Sequence, residues 1–364
     1  MELTTIWFLA IAILWTGYFV LEGFDFGVGI LLPVVGRNNN TDRRVLINTI
    51  GPVWDGNEVW LITAVGATFA AFPAWYGSML SGFYLPMLLI LLALIGRGVA
   101  FEYRHKGDTD AWRRGWDATI IAGSAIPAFL WGLIFANMLR GLPMDADHVV
   151  TAHLSDLLNP YALLGGVATF TLFTLHGAVF LSLKTDGAVR YRARRAAVAS
   201  AAVAAPALVG FVAWTHMAHG SDTTGPLAVV AAGALAIGVV LSLRGREGWS
   251  FTATATSVLS LSALLFASLF PDVLPSSTDP AHSLTITNAA SAEYTLTVMS
   301  WIAVVFLPLV LLYQSWSYWV FRQRVTRRHV DPTASDSDSD SGSTAAATDP
   351  AHRAGSTDTA PGTQ

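Results

Sequence analysis

Apolar residues in this chain come in long blocks. They follow neither the one-sided spacing of a surface helix nor the alternation of a half-buried strand. Nine blocks stand out, near 6–32, 57–74, 78–102, 118–139, 160–183, 197–217, 226–243, 252–271 and 296–321. Each is about as long as a bilayer's hydrocarbon core requires of a helix, roughly 20 residues. The pattern predicts an all-α integral membrane protein of about nine transmembrane helices. The first block is too long for a signal peptide and lacks a basic leading segment and a cleavage site, so it reads as the first spanning helix.

The polar residues between the blocks give the chain a direction. Arg37, Arg43 and Arg44 follow the first block, and Arg104, Lys106, Arg113 and Arg114 the third. Lys184, Arg190, Arg192, Arg194 and Arg195 follow the fifth, Arg244 and Arg246 the seventh, and Arg322, Arg324, Arg327 and Arg328 the ninth. Arg140 is the sole basic exception in the alternate loops. Cytoplasmic loops are rich in Lys and Arg, so the expected topology has the N-terminus outside and the C-terminus in the cytoplasm. Tryptophans at the block ends (Trp54, Trp60, Trp75, Trp112, Trp116, Trp316, Trp319) fit an aromatic belt. Residues 41–50 mix Asp42, Arg43 and Arg44 with Val45, Leu46, Ile47 and Ile50, as in a short interfacial helix.

A short internal repeat aligns Phe19-Val20-Leu21-Glu22-Gly23-Phe24-Asp25-Phe26 with Phe173-Thr174-Leu175-His176-Gly177-Ala178-Val179-Phe180. Gly115-Trp116 and Gly248-Trp249 extend it. The expected organisation is a first four-helix bundle with the interfacial helix over 1–143 and a second four-helix bundle over 144–275. An outer loop and a peripheral ninth helix follow over 276–330, then a disordered cytoplasmic tail over 331–364, rich in Ser and Asp. Composition fits a membrane protein, with 53% hydrophobic residues against 13% charged and a mean hydropathy of +0.50. There is no cysteine, which excludes disulfides, iron–sulfur clusters and thiolate metal sites.

Ionisable residues inside the blocks are the candidate chemistry, because such groups are costly in lipid and face a protein interior or a water-filled cavity. Glu22 and Asp25, three apart, share one helix face. Asp25 lies roughly 10 Å from the cytoplasmic end of its helix at ~1.5 Å rise per residue. Both are proton-pathway candidates, with a structural ion pair as the competing reading. Asp55 and Glu58 open the second block from the same side. They resemble a capping box at a helix start, a role compatible with an outer station for protons. Arg97 and Glu102 lie toward the end of the third block and are assigned to structural ion pairing, with Asp25 or Glu22 as the expected partner of Arg97. His176 and His216 read as hydrogen-bonded core residues, since nothing in their placement aims both at one iron. No self-contained catalytic site, metal site or cofactor-binding motif is visible. Read from these residues alone, a proton-coupled secondary transporter and a structural membrane scaffold stay open beside a subunit of a larger proton-consuming enzyme.

Several motifs resemble subunit II of cytochrome bd-type quinol oxidases. They are Gly23-Phe24-Asp25-Phe26-Gly27-Val28-Gly29, Arg43-Arg44 through Asn48-Thr49-Ile50-Gly51-Pro52, and Trp54-Asp55-Gly56-Asn57-Glu58-Val59-Trp60-Leu61. Ser81-Gly82-Phe83-Tyr84, Leu158-Asn159-Pro160, Pro275-Ser276-Ser277-Thr278 and Thr297-Val298-Met299-Ser300-Trp301 continue the match in order. The resemblance implies a multi-pass subunit of a respiratory terminal oxidase in a bacterial plasma membrane. The complex would oxidise menaquinol or ubiquinol and reduce dioxygen to water. Haem b and haem d are expected on subunit I, the implied partner. Subunit II would support assembly and contribute acids to a proton path, a role that falls on Asp25 and Asp55. A small third subunit, and a quinone on this chain as a structural lipid, stay open.

Overall fold

The computed structural model describes residues 2–37 and 39–330, so the tail reading for 331–364 lies outside the described residues. Long helices follow the apolar blocks closely: α1 (Leu3–Ile30), α2 (Trp54–Ala71), α3 (Tyr84–Tyr103), α4 (Asp110–Arg140), α5 (Pro160–Lys184), α6 (Gly187–His219), α7 (Thr224–Leu243), α8 (Glu247–Leu269) and α9 (Glu293–Val320). Among the described residues, eight helices are long and apolar enough to cross a membrane. The helix outside that set is α2, whose first turns carry Asp55, Asn57 and Glu58. The second block ends earlier than expected because Pro73 opens a separate short helix, Pro73–Gly82, and Pro lacks the N–H needed to continue α2. The Ala-rich blocks both form full helices, α6 and α7.

The helices pack where side chains are smallest. A Cβ added to Gly27 of α1 would lie 2.1 Å from the Phe173 carbonyl oxygen of α5, and one on Gly177 would lie 2.5 Å from Gly27 Cα. Backbones therefore touch where α1 crosses α5, as small residues allow in membrane bundles. Gly132 of α4 and Gly165 of α5 make a similar contact. An aromatic cluster fills the space between, with Trp15 and Trp131 centroids 4.9 Å apart and the Trp131 indole donating to the Tyr18 hydroxyl at 3.1 Å. Helix α9 lies outside this core, and Leu296 is its one buried residue.

At the end rich in arginine, the short helix Asn40–Ile50 buries Val45, Leu46 and Ile50. Two ion-pair groups pin it. Asp42 accepts from Arg192 and from Arg327 at 2.7 and 2.9 Å, and Arg43 meets Asp117 at 2.8 Å beside Arg104 at 2.5 Å. At the opposite end, a small antiparallel ribbon pairs Asp272–Leu274 with Leu284–Thr285. Leu142 exchanges backbone bonds with Pro275 and Ser277 there, tying the loop after α4 to the one after α8.

Candidate functional site

The acids of the first two helices meet one guanidinium inside the protein. Glu22 and Asp25 point from the same face of α1 and are fully buried, as is Arg97 of α3. Arg97 Nη2 donates to Glu22 Oε1 at 2.5 Å and to Glu58 Oε1 of α2 at 3.0 Å. Its guanidinium carbon sits 4.7 Å from the Phe26 ring centroid and 5.7 Å from that of Phe101, a cation–π sandwich that excludes solvent. Glu58 keeps 21% of its side chain exposed, making it the accessible edge of the group.

Asp25 joins from one side through Asn57 of α2. The Asn57 amide donates to Asp25 Oδ2 at 2.7 Å. Asn57 Oδ1 in turn accepts from the Tyr318 hydroxyl at 2.7 Å and from Gln314 Nε2 at 3.3 Å, both on α9. Gln314 Oε1 accepts from the Trp60 indole at 2.9 Å. Tyr318 also forms part of the wall of a groove of about 980 Å³, open at the arginine-rich end beside Gly51, Pro52, Lys184 and Phe251. Four buried polar atoms of the cluster have no hydrogen-bond partner among the described residues: Asp25 Oδ1, Glu22 Oε2, and Arg97 Nε and Nη1.

The structure thus brings Glu22, Asp25, Glu58 and Arg97 together and leaves Asp55 and Glu102 outside. The partners of Arg97 are Glu22 and Glu58. Glu102 is exposed and forms no ion pair among the described residues. Five residues after Arg97, it is turned by about 140° around the helix. The capping box at Asp55 and Glu58 is also absent: α2 starts at Trp54 with Val53 as its cap residue and no side-chain capping bond. Asp55 occupies the first turn, exposed, while Glu58 is drawn inward by Arg97. Sequence reasoning missed Asn57, Trp60, Gln314 and Tyr318. Gln314, a lone amide in the apolar run of α9, was the one visible signal.

The histidines part company. His176 is fully buried, with Nδ1 2.8 Å from the Thr254 hydroxyl, Nε2 3.2 Å from the Val20 carbonyl and its ring stacked on Phe251 at 4.7 Å. His216 is exposed near the end of α6 and bonds Thr224, so it is no core residue. Both ring nitrogens of His176 are thus taken up within the chain. Among the described residues, no group of three or more His, Asp or Glu is set to hold a metal ion.

Comparison with known proteins shows the family of the chain. The family model for cytochrome bd terminal oxidase subunit II matches residues 3–321. This chain belongs to that family. It is 45% identical over 332 residues to the cytochrome bd ubiquinol oxidase subunit 2 of Bacillus subtilis (strain 168), covering 90% of this chain and 98% of that one. It is 37% identical over 364 residues to the cytochrome bd-I ubiquinol oxidase subunit 2 of Escherichia coli (strain K12), covering 90% and 96%. A chain of the bd oxidase structure from Geobacillus thermodenitrificans shares the fold at a TM-score of 0.71 and 20% identity, over 88% of this chain and 99% of that one. The protein is thus a multi-pass bacterial membrane subunit of a terminal oxidase, an oxidoreductase complex that carries haem and includes a subunit I. Family membership sets aside the transporter reading.

Proposed function

We propose that this chain supports a haem-bearing subunit I and supplies the complex with a proton-uptake path, of which the Glu22–Asp25–Glu58–Arg97 cluster is the central station. Reduction of dioxygen to water consumes protons, and a bilayer offers them no route without ionisable or hydrated groups. The observation that carries the reading is two carboxyl groups on a single buried guanidinium with a third, Asp25, one turn along α1 from Glu22, and an unpartnered buried oxygen on both Glu22 and Asp25. Like charges crowded in an apolar setting cannot all ionise, so such a group holds a proton and can pass it on. Glu58 gives it an accessible edge, and exposed Asp55, three residues earlier on α2, is the outer collector.

The arginine-rich loops support a cytoplasmic mouth, with the N-terminus outside. Haem b and haem d are assigned to subunit I, a reading supported by His176, buried among the helices with both ring nitrogens already bonded. The complex oxidises a quinol at subunit I. The two halves of the repeat form two four-helix bundles with α9 at their edge, and the first bundle carries the proton path.

The test is Asp25→Asn in the purified complex, followed as quinol oxidase turnover per haem. Turnover falls by roughly a hundredfold, within the range contributed by a positioned proton-transfer group. Haem spectra and subunit content stay as in the unaltered complex. Normal turnover would overturn the proposal.

A further inference from the structure

A chain of hydrogen bonds with a fixed direction ends on Asp25. It begins at Trp60, whose indole N–H can donate and never accept. Gln314 must therefore present Oε1 to Trp60, at 2.9 Å, which leaves its amide nitrogen facing Asn57 Oδ1 at 3.3 Å. Tyr318 adds a second donor to the same oxygen at 2.7 Å. With Oδ1 taken from two sides, Asn57 can offer Asp25 nothing but its N–H, and it does so at Oδ2, 2.7 Å away. Turning Gln314 over would set donor against donor at Trp60 and oxygen against oxygen at Asn57, and turning Asn57 over would set donor against donor at Gln314 and oxygen against carboxylate at Asp25. Asn57 and Asp25 are fully buried, so bulk water cannot substitute at that contact.

The two oxygens of Asp25 are therefore unequal. Oδ2 is committed as an acceptor, whereas Oδ1 is buried and has no hydrogen-bond partner among the described residues. We infer that Asp25 takes up and releases its proton at Oδ1 alone, and that helix α9 imposes this by orienting Asn57 through Gln314 and Tyr318. This rests on reading Asp25 as a proton station and adds the atom, the direction of approach and three positioning residues: Trp60, Gln314 and Tyr318. Buried polar atoms in proteins are nearly always satisfied. Oδ1 is accordingly where a water molecule or a donor from subunit I reaches the acid. Glu22 Oε2 and Arg97 Nε and Nη1, the other unpartnered atoms of the cluster, supply further polar edges for such a water. The charged and titratable groups around Asp25 are Glu22 on its own helix, Glu58 on α2, Arg97 on α3 and Tyr318 on α9. A peripheral helix with one buried residue thus has a positioning role at the centre of the protein.

The experiment is infrared difference spectroscopy on the whole oxidase complex between acidic and alkaline buffer. The carboxyl C=O band that disappears in Asp25→Asn belongs to Asp25. When the proton sits on Oδ1, the carbonyl is Oδ2, and its bond to the Asn57 N–H lowers the stretching frequency. Gln314→Leu and Tyr318→Phe each remove a donor that holds Asn57 in place, so the band moves to higher wavenumber in both. Tyr318→Phe, which keeps the ring, serves if Gln314→Leu fails to assemble. A band at its original position in the variants overturns the inference, as does the absence of any band sensitive to Asp25→Asn. Turnover separates the two claims. If Asp25→Asn loses the band yet turns over normally, the proton route is sunk, while the band positions in the unaltered complex and the Gln314 and Tyr318 variants still decide which oxygen carries the proton.

Discussion

Helices α1 and α5 place two fully buried ionisable residues at matching points of the repeated run, and they treat them in opposite ways. His176 in α5 has both ring nitrogens bonded, to Thr254 and to the Val20 carbonyl, and a ring face on Phe251. A neutral imidazole satisfied in this way carries no net charge into the bilayer. Glu22 in α1 has a charged partner, a second carboxylate sharing that partner, and Asp25 where α5 has Val179. Polar atoms of Glu22, Asp25 and Arg97 are left open, whereas His176 has none open. A buried polar residue that is complete within its own chain holds helices together. A cluster that is incomplete within its own chain needs something from outside, which in an oxidase subunit fits a proton or a partner.

The comparison is tested most severely at Arg97. Replacing it by Met would leave Glu22 buried with no cation, beside a half-buried Glu58. Removing one member of a buried ion pair costs about 3–5 kcal/mol, because the remaining charge stays desolvated. The expected result for Arg97→Met is near-complete loss of assembled complex from detergent extracts, read by the haem spectrum and by immunoblot of this subunit. An Arg97→Met complex that assembles at normal levels would show that the carboxyl groups are content without a cation and that the pair is incidental.

His176→Phe is the matching change in α5, with a smaller expected effect. It removes the imidazole's bonds to the Thr254 hydroxyl and the Val20 carbonyl while keeping an aromatic ring against Phe251, and Thr254 retains its bond to the Phe251 carbonyl at 3.0 Å. Losing one such neutral bond costs about 0.5–1.5 kcal/mol. The complex should assemble, melt at a lower temperature and turn over normally per haem. A loss of turnover without a loss of stability would give α5 a functional share and erase the contrast with α1.

Much of this was legible in the sequence. Block lengths gave the helices, because the bilayer demands a fixed length of apolar chain whatever its packing. The three-residue spacing placed Glu22 and Asp25 on one face, and the isolation of Arg97 in an apolar run marked it as paired. What stayed hidden depended on contacts between distant segments. Gln314 and Tyr318 reach Asn57 across 257 and 261 residues, and no periodicity reveals which side of the bundle a peripheral helix occupies. The capping pattern at Asp55 and Glu58 misled because a local motif competed with Arg97 for the same carboxylate, and the buried cation won. Glu102 misled for a geometric reason: nearness along the chain is not nearness around a helix.

Asp55 supplies the finest test, because its two roles predict different small effects. It is exposed in the first turn of α2, where a negative charge favours the positive helix end by about 0.3–1 kcal/mol. As a collector of protons for Glu58 it would matter when protons are scarce, since a surface carboxylate then raises their local supply. Asp55→Asn removes the charge and keeps the side chain's shape. On the helix-dipole reading, the melting temperature falls slightly and turnover per haem is unchanged across the pH range. On the collector reading, turnover matches the unaltered complex in acidic buffer and drops progressively as pH rises, because proton arrival then becomes the slow step. The pH at which the two turnover curves separate therefore shows whether the path of the first bundle begins at Asp55. If the curves never separate, Glu58 is its outermost member and the route starts at the one carboxyl group of the cluster that already reaches the surface.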